Sequence, residues 1–319
     1  MHDETLLKVE DFSVRYGLVA AVSSVSFSVR KGEVYGVVGE SGAGKSATAK
    51  GIIGLLPSVA RIGGSVRYKG EELVGASPER LRRARGAEIG YVFQDALTAL
   101  DPVRTIGAQL VEALRAHRTV ARAEAWEAGE SLLAELQIKD PARVMNSYAH
   151  QLSGGMRQRA VIATALIADP ELIIADEVTS ALDVTVQRRV LDILLGVCAD
   201  RGAGVIMITH DMGVVAQCCD RVAVLYGGMV AEEADVFTLF DHPRHPYTSA
   251  LMRSMPRIGD DRPFQPIPGS AAQVIGVASR CPFAPRCAQP VARCTHAVPG
   301  LKIEGGSAFR CFNPLEVTS

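Results

Sequence analysis

The stretch that decides the fold reads GESGAGKS, residues 39–46. An apolar run, residues 34–38, leads into it, and a run of helix character, residues 47–56, leads out. Strand, glycine-rich loop and helix in that order form the setting of a phosphate-binding loop. The spacing is complete: Gly39, four residues, Gly44, Lys45, Ser46. Glycines let the backbone wrap tightly and turn successive N–H groups toward phosphate oxygens. A helix that starts there also points its positive end at the anion. Lys45 is placed to reach the β- and γ-phosphates, and the Ser46 hydroxyl to ligate Mg²⁺. A chance glycine-rich turn has no reason to fall between an apolar strand and a helix.

Other polar residues stand at the ends of apolar strands. Residues 171–175 form a buried strand that ends in Asp176-Glu177. Two acids there are costly unless they serve a cation or a reacting water. Asp176 suits Mg²⁺ and Glu177 suits polarisation of water; a solvated strand end is the plain alternative. Strand 89–93 ends at Gln94, a group able to touch Mg²⁺ or the water, or to be an ordinary loop residue. Strand 204–209 ends at His210, which is either structural or a sensor of the γ-phosphate. Ligand sites of parallel sheets lie at the carboxyl ends of the strands, which groups Gly39, Asp176 and His210. Tyr16, upstream of the loop, either stacks on adenine or is a half-buried strand tyrosine. Ser153, Gly154 and Gly155 precede a helix and make either a second anion site or a simple N-cap.

Composition sets the frame. The chain has 319 residues, enough for two domains, and 48% are hydrophobic, enough for a substantial core. Net charge is −1, so nothing global argues for nucleic acid or an anionic membrane surface. No apolar run reaches the ~18–20 residues needed to span a bilayer, and the start, MHDETLLKVEDF, lacks the layout of a secretory signal. A cytoplasmic protein is expected, in which seven cysteines are thiols or metal ligands rather than disulfides.

Along the chain, residues 6–16 and 19–29 alternate as strands, and Gly63-Gly64 opens a short strand over 65–69. Ser77-Pro78-Glu79 reads as a helix entry. Between about 97 and 168 helix periodicity takes over, with runs at 105–117, 121–136 and 156–168, which predicts an inserted helical subdomain. Trp126 within it is read as core packing. A helix over 184–198, a strand pair at 221–226 and 229–233 around Gly227-Gly228, and a short helix to 252 follow. Beyond Pro256 the chain is rich in Pro and Gly with little periodicity.

Taken together these motifs resemble the nucleotide-binding subunit of ATP-binding cassette (ABC) transporters, over about residues 5–255. The loop 39–46, Gln94, LSGGM from Leu152, the Ile-Ile-Ala-Asp-Glu strand, SALD to Asp183 and His210 occur in the family's order, and LSGGM is absent from other P-loop families. FQDALTALDP from Phe93, HQLSGGMRQR from His150 and HPYT from His245 resemble the oligopeptide/dipeptide importer branch, which includes nickel importers.

The resemblance implies an α/β fold: a RecA-like parallel core with an antiparallel β subdomain, a helical insertion, and a cassette over 1–240 followed by an extension over 241–319. It implies Tyr16 on adenine; Gly39, Ser41, Gly42, Gly44, Lys45 and Ser46 on phosphates; Ser46, Gln94 and Asp176 around Mg²⁺; Glu177 as catalytic base; His210 as γ-phosphate switch. Gln94 would couple the site to the membrane subunit. Ser153, Gly154 and Gly155 would serve ATP held by a second, different ABC ATPase subunit, with Asp183 in the turn that meets it. Two transmembrane permease subunits, an extracytoplasmic binding protein and a peripheral place on the inner face of the membrane complete the implied assembly, with no nucleic acid. A soluble ABC ATPase acting on ribosomes or DNA, and a non-hydrolysing regulatory subunit, are the competing readings. Val178 replaces the family's usual Pro, which removes a fixed φ but no chemical group. Ala96-Leu97 replaces its usual Pro-Met.

The tail carries Cys281, Cys287, Cys294 and Cys311 among prolines. Four thiolates in a segment with little apolar periodicity suit Zn²⁺ or an iron–sulfur cluster that orders it. In the family resembled, the pattern goes with a [4Fe–4S] cluster. Cys198, Cys218 and Cys219 read as small buried apolar residues.

Overall fold

A computed structural model describes residues 4–178, 183–254, 266–272 and 274–316. β1 (Thr5–Tyr16) and β2 (Val19–Arg30) alternate buried and exposed side chains, as their period-two pattern predicts. β3 (Val34–Val38) is almost wholly buried and runs through the glycine-rich loop into α1 (Lys45–Ile52). β4 (Ala60–Tyr68) begins before the Gly63-Gly64 pair instead of after it, and β5 (Glu71–Glu72) follows. The glycines mark a bulge, not a strand start. The register with β1 shifts between Glu10 and Ser13, and a Cβ on Gly64 (φ +85°) would meet the Asp11 carbonyl oxygen at 2.4 Å.

α2 (Pro78–Arg83) opens on Ser77, whose Oγ accepts from Arg80 N at 3.2 Å, with Pro78 in the first turn. Next come β6 (Ile89–Val92), α3 (Ala96–Ala99), α4 (Ile106–Arg115), α5 (Arg122–Glu135), α6 (Pro141–Met145), α7 (Gly154–Leu166) and β7 (Leu172–Asp176). α8 (Val184–Asp200), β8 (Gly204–Thr209), α9 (Met212–Cys218), β9 (Arg221–Tyr226), β10 (Met229–Asp235), α10 (Val236–Asp241) and α11 (Pro246–Arg253) follow. β11 (Lys302–Glu304) and β12 (Ser307–Phe309) close the described chain.

These elements fall into two compact units. The first holds Met1–Leu6, Val29–Glu33 and Ala76–Ile206. In it β6 and β7 pair in parallel, with Tyr91 opposite Ile174 and Val92 opposite Ala175. Helices α4 to α7 pack on one another around Leu110, Leu114, Leu132, Leu133 and Met145, all buried. Trp126 is half-buried and fills the space over Gly107, where a Cβ would meet its ring at 2.7 Å.

The second unit holds Leu7–Ser28, Val34–Gly75 and Met207–Ser319. One antiparallel sheet there has the order β2-β1-β4-β5. In the other sheet β3 pairs parallel to β9, and β9 and β10 form the predicted hairpin over Gly227-Gly228. The tail then adds to it: β12 pairs with β10, and β11 with β12. The cysteine-bearing tail and the phosphate loop thus belong to one unit. No helix among the described residues is long and apolar enough to cross a membrane.

Candidate active site

The glycine-rich loop is shaped by close approaches within its own unit. Gly39 passes so near β9 that a Cβ would lie 2.3 Å from the Leu225 carbonyl oxygen. Gly42 and Gly44 both have positive φ, 81° and 101°. The Gly228 N–H donates to the Ala43 carbonyl at 3.1 Å, so the β9–β10 turn braces the loop. Lys45 is buried, and its ammonium donates to the carbonyls of Gly39 at 2.8 Å and Glu40 at 3.1 Å. Gly44 is the N-cap of α1 and no side chain caps that helix start. The uncapped first-turn N–H groups of α1 and the Lys45 ammonium at the loop are the kind of donors an oligophosphate requires. Ser46 is half-buried in the first turn of α1, and Ser41 is exposed at the loop crest.

The outer side of the loop is held by Tyr247, known from sequence only as part of HPYT, and by Arg286, which the sequence did not single out. Glu40 N donates to Tyr247 Oη at 3.0 Å. The Glu40 carboxylate accepts two bonds from Arg286, at 2.6 and 3.0 Å.

In the first unit the end of β7 carries the two acids. Asp176 is buried, at 2% exposure, and its Oδ2 accepts from Tyr91 Oη at 2.7 Å. Burial first, then the charge of Asp176 and this hydrogen bond, hold the Tyr91 hydroxyl well above the ordinary tyrosine value, so it remains a donor. Tyr91 was legible in principle. It lies opposite Ile174, so Asp176, two residues further on, shares its face of the sheet. Glu177 takes φ +46°, a left-handed conformation uncommon for a residue with a Cβ. Its Oε2 accepts from Gln94 Nε2 at 2.8 Å. Two residues singled out separately from the sequence are thus brought together.

The LSGGM segment starts α7. Ser153 is its N-cap, with Oγ accepting from Met156 N at 3.4 Å, and Ser153 and Gly154 are exposed while Gly155 is half-buried. Asp183 caps α8, its Oδ1 accepting from Val186 N at 3.0 Å. The rest of the TSALD segment, residues 179–182, lies outside the described residues. In the second unit Tyr16 ends β1 opposite Ala60, half-buried, with burial raising its hydroxyl pKa. His210 is exposed directly after β8.

The four tail cysteines are free thiols that line one small cavity, with Phe283 and Phe312 among its walls. Burial raises the Cys281 and Cys287 thiols and pushes Cys311 up to about 11, and the other three thiols add to the shift at Cys311. Among the described residues no three His, Cys, Asp or Glu side chains form a group able to hold a metal ion. Of the remaining cysteines, Cys198 and Cys219 are buried as expected, whereas Cys218, on the last turn of α9, is only half-buried.

Comparison with known proteins agrees with this geometry. The family described as "ABC transporter" matches residues 22–180, and that described as "Oligopeptide/dipeptide transporter, C-terminal region" matches 231–294. The oligopeptide transport ATP-binding protein OppD of Escherichia coli (strain K12) is 39% identical over 98% of this chain and 94% of its own. A Sinorhizobium fredii protein named "Probable peptide ABC transporter ATP-binding protein y4tR" is 43% identical over 99% of this chain and 97% of its own. Among solved structures, the dimeric post-hydrolysis state of the ATP-binding cassette MJ0796, bound to ADP and Pi, superposes with a TM-score of 0.64. It is 26% identical and covers 72% of this chain and 98% of that one. With relatives matched almost end to end and a phosphate loop built as that fold requires, the chain belongs to the family of ABC transporter ATP-binding proteins.

Proposed function

We propose that this chain is the ATP-hydrolysing subunit of an importer of di- or oligopeptides, held at the inner face of the membrane by permease subunits. The observation that carries the cargo class is the match of residues 231–294 to the C-terminal region of oligopeptide/dipeptide transporters. The full-length likeness to OppD supports it.

In this reading Tyr16 stacks on adenine, and Gly39, Ser41, Gly42, Gly44 and Lys45 hold the phosphates. Ser46, Asp176 and Gln94 would hold Mg²⁺, which would supply charge screening for the phosphates. Glu177 orients and polarises the attacking water. The amide of Gln94, 2.8 Å from the Glu177 carboxylate, fixes that carboxylate's direction. His210 senses the γ-phosphate. Most of the catalysis is positioning and charge stabilisation. The exposed start of α7, with Ser153, Gly154 and Gly155, serves ATP bound to a second, different ATPase subunit. Binding of two nucleotides closes the pair and hydrolysis releases it, which drives a two-state permease.

The four tail thiols are assigned to a [4Fe–4S] cluster, with Zn²⁺ as the alternative. Four cysteines around one cavity fit a Cys₄ site, and the cluster is preferred because this cysteine pattern goes with one in the family resembled. Its role is to order the tail. Iron and sulfide in the purified chain support this, whereas zinc alone reverses the choice.

The deciding experiment purifies the chain from membranes with its partners and reconstitutes the complex in vesicles. ATP turnover should rise when peptide-loaded binding protein is added. Stimulation by nickel but not by peptide would move the cargo to the metal-importing branch. Full turnover by the isolated monomer, unaffected by loss of Ser153, Gly154 and Gly155, would reject the two-subunit site.

A further inference from the structure

Glu40 is an odd residue to find in a loop that gathers an oligophosphate, because its carboxylate carries the same sign of charge as the ligand. The structure shows what offsets it. Arg286 grips both carboxylate oxygens, Nη1 to Oε2 at 2.6 Å and Nη2 to Oε1 at 3.0 Å. The guanidinium is not a loose surface partner: its side chain is 6% exposed, against 27% for Glu40. Its other N–H groups are committed as well. Nε donates to the Pro268 carbonyl at 2.7 Å, Nη2 to the Ile267 carbonyl at 3.2 Å and Nη1 to Tyr226 Oη at 3.3 Å. All the donors that a guanidinium possesses are thus engaged, which fixes its plane and its charge in one place.

The backbone of the same loop residue is tied down separately. The Glu40 N–H donates to Tyr247 Oη, and Tyr247 is fully buried. Its ring packs against Tyr226 with centroids 4.5 Å apart, and against Phe283 at 5.3 Å. Phe283 caps, and Arg286 ends, the short turn Ala284–Arg286 of the tail between Cys281 and Cys287. The phosphate loop is therefore tied twice at Glu40: by a backbone bond to Tyr247 of α11 and by a bidentate ion pair to Arg286 of the tail.

We propose that Arg286 is a positioning residue for nucleotide: by cancelling the Glu40 charge and fixing the first turn of the loop, the C-terminal tail sets the affinity for MgATP. This rests on the reading of Gly39–Ser46 as the phosphate cradle. In a part-buried setting a unit charge close to the triphosphate changes affinity strongly, so an uncancelled Glu40 should weaken binding by on the order of ten- to a hundredfold.

The test measures MgATP affinity of the full-length chain by calorimetry at two salt concentrations. The variants are Arg286→Met, Glu40→Gln, the double variant, and Lys45→Ala as control. Arg286→Met should bind about tenfold or more weakly, and the double variant should recover most of that loss. A role limited to packing would leave the double variant as weak as Arg286→Met, and that result overturns the proposal, as does unaltered affinity in Arg286→Met. Should Arg286→Met fail to fold, Glu40→Gln decides alone, because it keeps the tail intact. Tighter MgATP binding with a steeper dependence on salt supports the proposal; equal or weaker binding overturns it. MgATP affinity that is unchanged in Lys45→Ala would instead reject the phosphate cradle itself.

Discussion

Replacing Tyr91 by Phe should destabilise the chain without weakening its grip on nucleotide. The hydroxyl donates at 2.7 Å to Asp176 Oδ2, a carboxylate oxygen on a side chain only 2% exposed. A hydrogen bond to a charged acceptor contributes about 1.5–3 kcal/mol net, and a buried acceptor that loses a donor regains little from water. The ring itself changes little: Phe keeps the contact that Tyr91 makes with Phe93, centroids 4.6 Å apart. The cavity term is one oxygen and adds little. The expected loss is therefore about 2 kcal/mol, read as a fall in Tm of roughly 4–8 °C by the size scaling for a domain of this order. Differential scanning calorimetry of the nucleotide-free chain measures it, with denaturant unfolding as a cross-check at constant m. The substitution leaves the Asp176 carboxyl group in place, so the Kd for MgATP should stay within about threefold. Unchanged stability in Tyr91→Phe would show that this hydroxyl does not support the buried carboxylate. A large loss of MgATP affinity at unchanged stability would place the hydroxyl on the ligand instead.

Other perturbations follow from the same geometry. Glu177→Gln should bind MgATP normally, turn over about 10²–10⁴-fold more slowly and accumulate in the closed pair, because the amide keeps shape but loses basicity; turnover at the normal rate in vesicles refutes the assignment. Gln94→Ala removes the donor to Glu177 and should lower kcat about tenfold at nearly constant KM, so a change confined to KM would contradict it. Gly39→Ala places a Cβ against the Leu225 carbonyl, and the forced shift of the loop should abolish nucleotide-dependent stabilisation in a melting assay; a full ATP-induced rise in Tm would count against that contact. His117 is held below its ordinary pKa by burial and then by the charge of Arg82. The unfolded chain takes up that proton first, so this contribution to stability is present at neutral pH and is lost as pH falls below about 6.5. Titration by NMR at or above the ordinary imidazole value would contradict it.

The nucleotide-binding half of the fold was legible because its signals are local. Residues 34–46 state strand, loop and cap within one stretch, and β3, the loop and the start of α1 follow that order. The strand 204–209 was read to the residue, since an apolar run between Gly204 and His210 admits little else. Gly63-Gly64 marks a bulge and not a strand start: a glycine pair fits either, and only the register shift of β1 between Glu10 and Ser13 distinguishes them. β11 and β12 were missed for a different reason. Three-residue strands are too short to show a period, and Lys302, Ile303 and Glu304 are all exposed. Gln94 and Glu177 were each singled out, but their hydrogen bond depends on a left-handed turn at Glu177 that no pattern of residue types announces. Arg286 was invisible among the prolines and cysteines of the tail, because its meaning comes from a partner in a remote part of the chain.

That remoteness has a consequence for biosynthesis. Glu40 and Arg286 are 246 positions apart, so a ribosome adding ~5–20 residues per second releases the loop roughly 12–50 s before its counter-ion emerges. During that interval the Glu40 carboxylate lacks its Arg286 partner. If Arg286 sets the affinity as proposed, competence for nucleotide is deferred until residue 286 has been added, and a stop codon placed before it would yield a cassette poorly able to compete for ATP.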